Sequence, residues 1–296
     1  MQPFFRYALY IIGFIVLFSF LNFWLNTHPP KFRSRDTPAE HGLGYEAVRF
    51  ETKDGLSLAG WLIPGKKNSS TVIVGHGYPF DKGNILPVVK FLHPDYTLFL
   101  FDFRSFGESE GSTTTAGVKE IEDFNAAIRY LKSKDINHTF GAYGFSLSAA
   151  TFLMAEHPEV KAIVADSSYA SIHDIIGALY SYFGPLKFPF VWMTELYGKM
   201  FYGIDAKKYR VRVTVPTLLI HGGADSQIHV YNSQKIYDEG DKKLAELWII
   251  EGADHGMSYA TNPKAYKAKV KGFFDKHLKR KSAIFEYDKF KNYDVF

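Results

Sequence analysis

Thr139-Phe140-Gly141-Ala142-Tyr143-Gly144-Phe145-Ser146-Leu147-Ser148-Ala149-Ala150 reads as a strand, a sharp joint and the start of a helix, with a serine at the joint. Residues 139–143 are apolar or small and too few for a helix, which fits a strand buried on both faces. Residues 147–156 fit a helix. Between them, Gly144-Phe145-Ser146-Leu147-Ser148 is a G-x-S-x-G elbow with serine in the last glycine position. Such a turn lets a serine hydroxyl project alone while the helix amino terminus aims partial positive charge at an oxyanion. The same string also serves as a glycine-serine helix cap, so its meaning depends on its surroundings.

Working outward, residues 45–52 and 56–63 form a candidate hairpin across Asp54-Gly55. Short apolar runs at 71–74, 97–101, 162–165, 217–220 and 247–250 join 139–143 as strands of a parallel sheet. Val118, Ile121, Phe124, Ile128 and Leu131 recur at spacings of three and four, as do Tyr266, Val270, Phe274 and Leu278. Both sets predict amphipathic helices. Strands alternating with helices give an α/β sheet layered by helices.

Polar chemistry gathers where these strands end. His221-Gly222-Gly223-Ala224-Asp225 follows one strand and Gly252-Ala253-Asp254-His255-Gly256 follows the last, giving the chain order Ser, Asp, His. Gly75-His76-Gly77-Tyr78 and Asp102-Phe103-Arg104-Ser105-Phe106-Gly107-Glu108-Ser109 follow two others. With these motifs the chain resembles the α/β-hydrolase superfamily over residues 45–278, in particular its membrane-anchored serine esterases and monoglyceride-lipase-like enzymes. The first of the two strings resembles the family's oxyanion loop. The second resembles its D-x-R-G-x-G-x-S turn, and Ser105 and Ser148 stand where the family has glycine.

The resemblance implies a mostly parallel eight-stranded sheet flanked by helices. It also implies a serine hydrolase in which Ser146 attacks, His255 moves the proton and Asp225 orients the histidine. Backbone N–H groups of Tyr78 and Leu147 would form the oxyanion hole. Ser148 is the competing nucleophile, but it lies two residues into the helix. Asp166, at the end of residues 162–165, is the competing acid. His76 and His221 read as loop-ordering residues, Asp254 as a loop-shaping one and His229 as a surface or helix-start residue. No cofactor or metal is implied, and no P-loop, dinucleotide fingerprint or zinc-ligand cluster is present.

Residues 168–212 form a long insertion rich in aromatics, among them Tyr180, Phe190, Trp192 and Tyr197. As a cap over the serine it favours an apolar acyl ester or thioester, lipidic or small. As plain packing onto the domain it says nothing of substrate. An aminopeptidase of the same fold, which needs an acidic pocket group for the substrate ammonium, and a catalytically silent binding module are the alternatives.

Residues 7–25 carry no charge, long enough as a helix to span a bilayer. No small-x-small cleavage site follows, so an uncleaved anchor over residues 1–26 is expected rather than a signal peptide. Lys31, Arg33 and Arg35 outnumber Arg6, which leans the domain toward the cytoplasm. Residues 27–44 read as a linker, 45–280 as the hydrolase domain and 281–296 as a tail of no inferable role. The whole chain has 35 basic and 31 acidic residues spread without a basic stripe, which argues against a nucleic-acid partner. Its 46% hydrophobic content excludes a disordered protein, and zero cysteine removes disulfides and thiol nucleophiles.

Overall fold

A computed structural model describes residues 3–134, 136 and 139–279; the tail at 281–296 lies outside the described residues. Eight strands form one sheet: β1 (Glu46–Glu51), β2 (Ser57–Ile63), β3 (Thr71–Gly75), β4 (Thr97–Phe101), β5 (Phe140–Phe145), β6 (Val160–Asp166), β7 (Thr217–Gly222) and β8 (Ala245–Ile250). Their order is β1-β2-β4-β3-β5-β6-β7-β8, with β2 antiparallel to both neighbours and every later pairing parallel.

The helices are α1 (Pro3–Thr27), α2 (Lys82–Val89), α3 (Glu120–Ser133), α4 (Leu147–Ala155), α5 (Ile172–Leu179), α6 (Phe188–Tyr202), α7 (Tyr231–Glu239), α8 (Ser258–Thr261) and α9 (Pro263–Leu278). Strand residues alternate between two cores, as a pleated sheet covered on both faces requires. Ile73, Phe99 and Phe101 pack with Phe124 of α3 and Phe152 of α4 on one face. Val72, Val74, Leu98 and Leu100 pack with Leu86 of α2 and Phe274 of α9 on the other. At about 25 cal/mol per Å² of apolar surface removed from water, these two layers supply most of the driving force for folding.

Two buried cations, each paired with two carboxylates, fix the turn after β4. Arg104 donates through Nη2 to Asp123 at 2.7 Å and through Nη1 to Asp54 at 2.7 Å. Lys82 donates to Asp102 at 2.6 Å and to Glu108 at 2.7 Å. Ser105 sits there at φ +72°, a left-handed conformation that explains the family preference for glycine. Its hydroxyl donates to Thr113 O at 2.7 Å, a tether glycine would lack.

Between β6 and β7 the chain leaves the sheet to form α5, a 3-10 segment at Ser181–Lys187 and α6. Its aromatics divide. Tyr180, Phe190 and Tyr197 are buried, whereas Tyr182, Phe188, Trp192 and Phe201 are exposed. The helix α1 lies along α6: Phe18 stacks edge-on against Phe190 at 5.7 Å and Tyr197 donates to Val16 O at 2.9 Å. The stretch after α1, read as a linker, is tied to the sheet domain, since Lys31 donates to Ser109 O and Ser34 N–H to Asp81, both at 2.6 Å.

Candidate active site

β5 runs two residues beyond the expected 139–143, so that it ends at Phe145 and α4 begins at Leu147. Ser146 alone makes the turn, at φ +53° and ψ −107°. A non-glycine residue held there is strained, and such strain persists only where the surroundings over-determine it. Here Ser146 N–H donates to Asp166 O at 2.8 Å, and Ser148, fully buried, clamps the turn from inside. Ser148 Oγ accepts from Phe145 N–H at 2.8 Å and donates to Phe145 O at 3.0 Å. That hydroxyl is committed to the backbone, whereas Ser146 lines a cavity.

The loop after β8 brings His255 over Phe145, ring centroids 5.1 Å apart. His255 Nδ1 lies 2.7 Å from Asp225 Oδ2. Burial pushes the Asp225 carboxyl up, but hydrogen bonds from His221, His255 and Ile228 N–H outweigh it and hold it well below the usual carboxylate range. Asp225 is therefore ionised and able to stabilise an imidazolium. Asp254 joins the two loops: its Oδ1 accepts from Ser226 N–H at 2.8 Å and from His255 N–H at 2.7 Å.

Asp166 occupies a different environment. It accepts from Tyr266 at 2.7 Å and from Ser258 at 3.1 Å, and burial pushes its carboxyl up. His76 accepts Phe103 N–H at 3.1 Å, and His221 lies 2.7 Å from Ile228 O and 2.6 Å from Ser233. Both hold loops. His229 accepts Tyr231 N–H at the start of α7.

Ser146 and His255 open on one cavity of about 420 Å³. Tyr78 and Leu147, the residues whose N–H groups were expected to face an oxyanion, line it beside them. Its far wall is apolar, built from Ile172, Ile175 and Leu179 of α5 and Phe23 of α1. A second cavity of about 440 Å³ adjoins the first, and the two share Tyr78, Gln227 and His255. Among the described residues no cluster of metal-ligating side chains occurs.

Known proteins share this layout. The uncharacterized protein YfhR of Salmonella typhi is 30% identical over 241 residues, covering 74% of this chain and 76% of YfhR. The Pyrococcus furiosus esterase Pf2001 superposes with a TM-score of 0.71 at 28% identity, over 86% of this chain and 99% of the esterase. The chain belongs to the α/β-hydrolase superfamily. Residues 76–186 also match the X-Pro dipeptidyl-peptidase (S15 family) model. The thiohydrolase apmlB of Arthrinium phaeospermum is 34% identical over 128 residues, 40% of this chain and 42% of that protein. Such relatives support hydrolase activity for this α/β hydrolase.

The serine at position 148 of this α/β hydrolase is accommodated by a glycine on the neighbouring strand β3. A Cβ built on Gly75 would fall 2.4 Å from Ser148 Cβ. Gly75→Ala is therefore expected to cost about 1–3 kcal/mol as overpacking against the elbow. Ser148→Gly in the same chain should recover part of that loss, giving a coupling of at least about 0.5 kcal/mol in a double-mutant cycle by denaturant unfolding. Additive costs would show that the two positions do not share this space.

Proposed function

We propose that the chain is a membrane-anchored serine hydrolase that cleaves carboxylic esters or acyl thioesters of apolar acyl groups through Ser146, His255 and Asp225. The observation that carries this reading is Ser146 on a strained strand-to-helix turn, sharing one apolar-walled cavity with a histidine held by an ionised aspartate. The apolar helix Phe5–Thr27, long enough to cross a membrane, supports the anchor.

In this mechanism His255 Nε2 takes the Ser146 proton as Oγ attacks the carbonyl carbon, and Asp225 stabilises the imidazolium. N–H groups of Tyr78 and Leu147 receive the oxyanion, each worth roughly 3 kcal/mol in other serine hydrolases. Collapse expels the alcohol or thiol, which leaves with the proton from His255. Water, deprotonated by the same histidine, then frees the acid and restores Ser146. The α5 side of the first cavity suits the acyl group, and the second cavity suits the leaving group.

One observation favours a second reading, release of amino-terminal peptides. Glu195 of α6 lines the first cavity and supplies an acidic group for a substrate ammonium. It is paired with His173, and the wall around it is apolar, so acyl esters fit better.

A fluorophosphonate probe tests the proposal. It is expected to label the folded protein on the peptide that bears Ser146, and p-nitrophenyl acyl esters should turn over faster than X-Pro p-nitroanilides. Folded protein that stays unlabelled, or is labelled elsewhere, would overturn the assignment.

A further inference from the structure

The helix α1 is more than a tether. Phe23, Asn26 and Thr27 form part of the cavity that holds Ser146 and His255. The stripe Ile15, Phe18, Ser19 and Phe23, spaced as one helix face, is turned toward the cap. Ser19, a polar interruption in the apolar run, is fully buried. The two helices run in the same direction, because Phe14 meets Phe190 at 6.1 Å while Phe23 meets Tyr202 at 5.5 Å.

This pairing limits how α1 can cross a bilayer. From Phe14 onward the cap accompanies it, which leaves residues 5–13 bare, nine residues or about 13 Å at about 1.5 Å each. A hydrocarbon core is about 30 Å thick. The bare segment is too short to span it, so α1 can cross only if the cap enters as well. The cap surface is suited to that. Tyr182, Leu186, Phe188, Trp192, Met200 and Phe201 are all exposed. Residues 180–194 hold one charge, Lys187, whose Nζ is turned back onto α5, 3.9 Å from where a Cβ on Gly177 would lie. Exposed Lys199, Lys207 and Arg210 follow at the end nearer the sheet, as do Lys31 and Arg33 after α1. Basic residues there match anionic headgroups.

We infer that α1 and the cap enter the bilayer as one body, and that the active site takes its acyl ester or thioester from within the lipid leaflet, between α1, α5 and α6. The immersion stands on the geometry alone, whereas the substrate class rests on the hydrolase reading above.

The absence of cysteine makes depth measurement direct. Single variants Leu17→Cys on α1, Leu186→Cys and Trp192→Cys on the cap and Glu239→Cys on α7 would carry an NBD label in the full chain, reconstituted in phosphatidylcholine vesicles with doxyl-labelled lipid. Positions 17, 186 and 192 are expected to be quenched several-fold more than 239. Labels at 186 and 192 that behave like 239 would overturn the immersion, whatever position 17 does. In a second arm, Trp192→Glu is expected to lower turnover of a vesicle-borne long-chain acylglycerol roughly tenfold or more while sparing soluble p-nitrophenyl butyrate. An equal effect on both substrates would overturn the leaflet route. Quenched cap labels with neither substrate turned over would remove the substrate class and leave the immersion standing, so the two failures are distinguishable.

Discussion

Ser146→Ala is expected to lower kcat for an acyl ester by about 10⁶-fold, the scale seen when the nucleophile of another serine hydrolase is removed. Neither neighbouring serine among the described residues can take its place. Ser148 is two residues away, but its hydroxyl is fully buried and bonded to Phe145 at both ends. Ser226 accompanies Ser146 on the cavity wall, but its hydroxyl donates to Asp254. The substitution should leave the fold intact, since alanine keeps the Cβ and Ser146 makes its backbone bonds to Asp166 O and from Ala150 N–H. Steady-state turnover of p-nitrophenyl butyrate, beside a thermal melt, checks both points. A loss of less than about tenfold would mean that Ser146 is not the nucleophile.

The strands and the three loops were legible because their signals are local. Buried strands appear as short apolar runs, and the strands that lead into the three loops have a glycine and a polar residue at or just past their ends, as at Gly144, Gly222 and Gly252. That His255 pairs with Asp225 rather than with Asp166 was only half legible. Both stand near strand ends, and only the tertiary structure gives one His255 and the other Tyr266. The ion pairs of Lys82 and Arg104 were not legible at all, because each joins segments far apart in the chain.

Hydropathy was blind in a more instructive way at α1. A phenylalanine facing lipid and one facing another phenylalanine read identically, because both environments are apolar. The run at residues 7–25 predicted an apolar helix and found one, yet could not show that one face is covered by α6. The even choice between cap and plain packing for residues 168–212 dissolves similarly. Tyr180 and Phe190 pack beneath α1, while Trp192 and Phe188 point outward, so the same insertion contains both kinds of aromatic. Glu195, the acidic pocket group the sequence did not reveal, lies amid that insertion with no motif around it.

Asp225→Asn should lower kcat by about 10⁴-fold with the geometry unchanged, through the tautomer of His255. Asp225 Oδ1 accepts Gln227 N–H at 3.0 Å and Ile228 N–H at 2.7 Å, while Oδ2 faces His255 Nδ1 at 2.7 Å. An asparagine must keep its oxygen toward the two backbone donors, which turns its NH₂ toward Nδ1. That nitrogen then accepts instead of donating, so the proton moves to Nε2, where a base for Ser146 needs a lone pair. Stability should also respond to pH in a defined direction. The Asp225 carboxyl is held below its ordinary range, so its contribution is complete above the unfolded pKa of about 3.9 and is lost as pH falls toward the folded value. Asp225 therefore stays charged throughout the neutral range, and Asp225→Asn should flatten the acid side of the stability curve. Asp166→Asn is the control. Its partners are Tyr266, Ser258 and Ser167, so turnover should stay within about tenfold of the parent while stability falls by about 1–3 kcal/mol. Single-turnover acylation of both variants separates the roles: a 10⁴-fold loss in Asp166→Asn with a mild effect in Asp225→Asn would reassign the acid.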